Sequence, residues 1–133
     1  NIRSFSERET ERLRKECGTL IVVDEEVLRQ RNIPSYLTPD RAASIIASRY
    51  LFKGRSCTIF DFGATLTVDM IDSCGNYSGG NISLGCSTRF KALNRYSRHL
   101  PLVDNEDDVA PIGNSVKSSI QSGVISGILF EVN

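Results

Sequence analysis

The sequence has no tryptophan, a single methionine and a single histidine, and its four cysteines (Cys17, Cys57, Cys74, Cys86) stand far apart with no Cys-x-x-Cys pair. His99 is the one imidazole, so neither a zinc site nor a disulfide framework is expected, and the thiols read as reduced cytosolic ones. An excess of charge is missing as well. Sixteen Lys and Arg balance sixteen Asp and Glu at a sequence pI of about 6.8, which leaves no global field to gather nucleic acid or an anionic membrane; any anion site must be local. No apolar run approaches the roughly 18 residues of a membrane span, and residues 1–14 are too charged for a signal peptide. These absences predict a cytoplasmic protein without membrane or nucleic-acid partners. The missing initiator Met predicts that an N-terminal part precedes Asn1.

What is present suits one core in a mixed α/β chain: 133 residues, 40% of them hydrophobic and 24% charged. Ser4 or Ser6 can cap a helix to about Glu16, with Glu7 and Glu9 early and Arg14 and Lys15 late, the charge order a helix dipole favours. Gly18 ends it, and the β-branched run Thr19 to Val23 predicts a buried strand closed by Asp24, Glu25 and Glu26. Arg29 to Pro39, with two prolines, predicts a surface loop. Asp40 is the expected cap of a helix that runs to Lys53 and Gly54. Three strands of an antiparallel meander follow at Cys57 to Asp61, Thr65 to Asp72 and Tyr77 to Ile82. An amphipathic helix is expected over Ser87 to Tyr96, then an acidic loop at Asp104 to Asp108. A last helix spans Gly113 to Val132, with Gly123 and Gly127 allowing close backbone approach.

Three stretches carry candidate chemistry. Asp61-Phe62-Gly63-Ala64-Thr65-Leu66-Thr67-Val68-Asp69 places an acid at a strand end before a glycine turn, hydroxyls and a second acid. In a phosphotransferase such a turn brings backbone N–H groups and threonine hydroxyls to phosphate, and the acid holds a cation. Ordinary hairpin chemistry would use the same residues. Pro39-Asp40-Arg41 sets a carboxylate able to take a hydroxyl proton beside a guanidinium able to hold a polar or anionic group, or it is a helix cap next to a surface arginine. Gly79-Gly80-Asn81-Ile82-Ser83-Leu84-Gly85 suits close approach of a ligand or another backbone, or a simple bulge. His99 reads as a packing or capping residue, and the cysteines as small buried hydrophobes.

The order of these stretches, continued by Phe90-Lys91-Ala92-Leu93-Asn94-Arg95-Tyr96, Leu100-Pro101-Leu102-Val103 and Ile112-Gly113, resembles the type III pantothenate kinases, also described as Bvg accessory factors. The likeness runs from about Tyr36 to Glu131. It implies an actin-like, ribonuclease H-like α/β fold, of which this chain is a fragment: residues 1–39 would end a first domain and its connecting loop, and residues 40–133 would form the second domain. It implies a homodimeric kinase that phosphorylates pantothenate to 4'-phosphopantothenate, the first step of coenzyme A synthesis. ATP, Mg2+ and a monovalent cation, K+ or NH4+, would be its cofactors. By the same resemblance Asp40 is the general base, Tyr36 and Arg41 contact substrate, Gly63, Thr65 and Thr67 face the phosphates, and Asp61 holds the metal. The sequence departs from the family pattern at Ala64, Leu84 and Val116 and in the short Pro39–Asp40 link, and the family's N-terminal Asp-x-Gly-Asn phosphate loop is not among its residues. These departures keep a second reading in view, a non-catalytic homologue acting as a regulatory accessory protein.

Overall fold

The computed structural model describes residues 5–20 and 22–133. The elements run α1 (Glu7–Glu16), α2 (Glu25–Gln30), α3 (Pro39–Leu51), β1 (Cys57–Phe62), β2 (Thr65–Ile71), β3 (Tyr77–Leu84), α4 (Cys86–Tyr96) and α5 (Val116–Val132). The strands form an antiparallel sheet in the order β1-β2-β3. The chain divides into two compact units. One holds the residues up to Ile59 together with Asp69–Gly79; the other holds Phe60–Val68 and Gly80–Asn133.

In the first unit α1 starts where its charge pattern predicts. The Ser6 hydroxyl accepts from the Glu9 N–H at 3.3 Å, and the Glu9 carboxylate accepts from the Ser6 N–H at 2.9 Å; the other expected cap, Ser4, lies outside the described residues. The strand expected over Thr19 to Val23 does not form: Thr19, Leu20, Val22 and Val23 carry no strand pairing, and Ile21 lies outside the described residues. A β-branched run is a strand only when a ladder accepts it, and here Val23 instead packs on the core of this unit. The acids that follow are a helix start. Asp24 Oδ1 accepts from the Val27 N–H at 2.9 Å and caps α2, so the region expected to lead into a plain loop contains a short helix.

Asp40 is not the cap of α3. Thr38 occupies that position, Pro39 opens the helix and Asp40 lies in its first turn, as fits proline's preset φ and missing N–H. Ala42 and Ile45 on α3 are fully buried against Leu28, Ile33, Leu37 and Ile71. On the same helix the guanidinium of Arg49 spans two turns, donating to the carbonyls of Gly75 at 2.6 Å and of Arg31 at 2.6 Å, with Asn32 O at 3.4 Å.

The second unit has its own core: Leu66, Phe90, Val103, Ile120, Val124 and Ile128. Gly85, the N-cap of α4, lies where a Cβ would fall 2.0 Å from the Gly63 carbonyl oxygen, so only glycine fits, and its N–H donates to Ala64 O at 3.0 Å. Gly113 is equally enclosed, with Ser119 N 2.2 Å from a Cβ built there. It precedes α5 rather than starting it. Ser115 is the N-cap, and its side chain and that of Ser118 bond each other's backbone N–H. Gly123 faces open space, against the expectation of a close approach, whereas a Cβ on Gly127 would stand 3.3 Å from Arg89 Nη1. Arg89 joins α4 to α5 through Glu131 at 2.7 Å, and Ser83 donates to the same carboxylate at 2.8 Å. The four thiols are free. Cys57 and Cys86 are partly buried, but Cys17 and Cys74 are exposed, so those two are not the buried hydrophobes expected. His99 is exposed too, which leaves no packing role for its ring.

Candidate active site

The first turn of α3 supplies one half of the candidate chemistry. Asp40 is exposed, and its Oδ1 accepts from the Arg41 N–H at 3.0 Å. The Thr38 hydroxyl and backbone donors of the helix start hold its carboxyl below the usual aspartate value, so it is ionised throughout the neutral range. One position along, Arg41 turns inward and is 6% exposed. Its Nε donates to Asp69 Oδ2 at 2.9 Å and its Nη2 to Asp69 Oδ1 at 2.6 Å, a two-pronged pair in which Asp69 is 2% exposed.

Tyr77 completes this arrangement from β3. Its hydroxyl donates to Asp69 Oδ1 at 2.9 Å and accepts from Arg41 Nη2 at 3.2 Å. Burial first, then the hydrogen bonds to Asp69 and to Tyr36, push the Tyr77 hydroxyl above the usual phenol value, so it stays a neutral donor. The hydrogen bond to Asp69 likewise raises the Arg41 guanidinium. Tyr36 is 71% exposed. Removing either member of a buried ion pair strands the other charge at a cost of about 3–5 kcal/mol.

The remaining predicted residues lie in the second unit. Asp61 is exposed on β1 beside the Gly63-Ala64 turn, Thr65 is exposed at the start of β2, and Thr67 is 8% exposed within that strand. The Gly63 N–H donates to Thr65 O at 2.9 Å, and Ala64 O accepts from both Gly85 N–H and the Thr88 hydroxyl. The Gly63 N–H is therefore occupied within the hairpin and the Ala64 carbonyl by the start of α4. Among the described residues no group of three or more His, Cys, Asp or Glu side chains converges on one point; a Mg2+ ion commonly takes one or two protein carboxylates plus substrate phosphates, and the exposed Asp61 fits that demand. Tyr36, Asp40 and Arg41 are brought together in one unit, and Asp61, Gly63, Thr65 and Thr67 in the other. A groove of about 1090 Å3 between α4 and α5, with Leu93, Tyr96, Val116 and Ile120 among its lining, holds none of these seven.

Sequence reasoning missed Tyr77 and gave Asp69 only the part of a closing acid. The alternation of β2, which buries Asp69 and Ile71 and exposes Met70, was the available signal: a carboxylate on an inward position demands a cation.

Comparison with known proteins follows the same lines. The chain matches the family model of type III pantothenate kinase over residues 14–133. It is 41% identical over 100 residues to the type III pantothenate kinase of Phocaeicola vulgatus, covering 75% of this chain and 41% of that protein. The enzyme of the same name from Cytophaga hutchinsonii is 40% identical over 99 residues, 74% of this chain and 42% of its own length. The matched stretch thus spans less than half the length of these relatives. Among solved structures, a Baf family protein of Campylobacter jejuni superposes with a TM-score of 0.55 at 18% identity, over 96% of this chain and 58% of that one, a likeness of fold. On these grounds, this chain belongs to the type III pantothenate kinase family.

Proposed function

We propose that the protein carrying this chain is an ATP-dependent kinase that phosphorylates the hydroxyl of pantothenate to give 4'-phosphopantothenate. One observation carries the reading within the structure: an exposed, ionised Asp40 in the first turn of α3, followed by an arginine fixed by Asp69 and Tyr77. The hydroxyl oxygen of pantothenate attacks the γ-phosphorus, the bond from that phosphorus to the β-bridging oxygen breaks, ADP leaves, and the hydroxyl proton passes to Asp40. Arg41 and Tyr36 hold the polar parts of the substrate. Gly63, Thr65 and Thr67 face the phosphates, and Asp61 would hold a Mg2+ ion, which would offset their charge. A low carboxyl pKa is no obstacle in a loose phosphoryl-transfer transition state, where positioning matters more than base strength.

The actin-like two-domain architecture, with residues 40–133 as second domain, the homodimer, the cytoplasmic location and the dependence on K+ or NH4+ belong to the same proposal. None of the described helices is long and apolar enough to cross a membrane. The kinase name carried by the curated relatives does not favour the non-catalytic accessory reading. The test is formation of 4'-phosphopantothenate by the full-length protein with ATP, Mg2+ and K+. Asp40→Asn is expected to lower kcat by about 10²- to 10⁴-fold with the fold retained. Undiminished turnover in that variant would remove Asp40 as the base.

A further inference from the structure

Arg41 can present its guanidinium in many directions unless its other nitrogens are occupied. Here they are: Nε and Nη2 form one edge of the planar group, and Asp69 takes both. Tyr77 closes the corner of that edge, bonding Nη2 and Asp69 Oδ1 with one hydroxyl. No buried side-chain nitrogen or oxygen among the described residues lacks a partner, and the bonds that Arg41 makes to them run through Nε and Nη2, which leaves Nη1 as the nitrogen without a partner among the described residues. Tyr36, the other residue given a substrate contact, is exposed in the same unit.

We propose that Asp69 and Tyr77 are positioning residues for substrate binding: Asp69 fixes the plane of the Arg41 guanidinium so that Nη1 is left for the ligand, and Tyr77 braces that pair by bonding both partners. The inference rests on the kinase reading above, and the ligand group it concerns is one that a single pair of N–H donors and a phenol can hold, a carboxylate or amide oxygen of the acceptor substrate. Both residues act through Arg41, which they bond from within the first unit. Their loss acts on affinity for the acceptor and leaves the chemical step nearly unaltered, because Arg41 with fewer of its bonds samples other directions and must be ordered at each binding event.

Tyr77→Phe is the decisive variant, since it keeps the ring that packs on the core of the first unit and spares the buried ion pair. In the full-length protein the expected result is a roughly tenfold higher KM for pantothenate, an unchanged KM for ATP and kcat within about twofold of wild type. Asp69→Asn is expected to move the same constant further, and Asp69→Glu not to rescue it, because the longer acid displaces the fork. A merely structural role predicts something else: a lower melting temperature and a fall in apparent kcat with both KM values intact. That pattern, or no change in the pantothenate KM, would overturn the proposal. The Arg41 Nε–H NMR resonance separates this from failure of the kinase reading. Even in a wild-type protein that makes no product, a slowly exchanging Nε–H that becomes exchange-broadened in Tyr77→Phe supports the positioning role, and one that is unaltered refutes it.

Discussion

Glu131 sits in the last turn of α5, where a negative charge opposes the helix dipole, yet its carboxyl is held below the usual glutamate range. Hydrogen bonds first from Arg89 and then from Ser83 lower it, against the opposing effect of burial. A carboxyl depressed in the folded state contributes stability that is complete above its unfolded value and lost as pH falls through its folded one. The second unit is therefore expected to lose stability below the ordinary carboxylate range, and Glu131→Gln to remove that part of the slope. Melting curves of both proteins between about pH 6 and pH 3 test this: the wild-type advantage should shrink with acid and vanish at the low end. A difference that is constant with pH would assign the effect to packing.

Among the elements, the two serine-capped helices offer a contrast. α1 begins with a full capping box but buries nothing, whereas α5 buries Ile120, Val124 and Ile128. Ser115→Ala is expected to cost about 1 kcal/mol of global stability, read as a lower denaturation midpoint. Ser6→Ala should leave that midpoint in place and reduce only helix signal, because fraying of α1 exposes no core. The same distinction explains what the sequence disclosed. Elements whose limits are set by local chemistry were legible: the meander at Gly63-Ala64 and Cys74-Gly75, α4, and α5 apart from its start at Ser115. The run at Thr19 failed because a strand is a pairing, and no residue near it says whether a partner exists. Asp24 looked like the end of one element and is the start of another, and Asp40 yielded the cap to Thr38 because Pro39 must come first.

For the whole molecule, each unit closes its own apolar core, so the chain is two small cores rather than the single one its length suggests. The order of the glycine turns and the Asp-Arg pair was enough to name the family, since those residues are neighbours in sequence. The fork behind Arg41 was not legible, because Asp69 lies 28 positions away and Tyr77 36. Homodimer formation is the part of the proposal that belongs to this scale. Sedimentation of the full-length protein is expected to give twice the mass of one chain, and a monomer at micromolar concentration would count against that assembly.

Arg49 has a consequence for how the first unit comes apart. One guanidinium holds the carbonyls that end α2 and the carbonyl at the tip of the β2–β3 hairpin, and burial lowers its pKa without threatening its charge. These two turns are remote along the chain and share a single side chain, so Arg49→Ala is expected to raise amide exchange at both turns together, and a rise at one alone would show that they open separately.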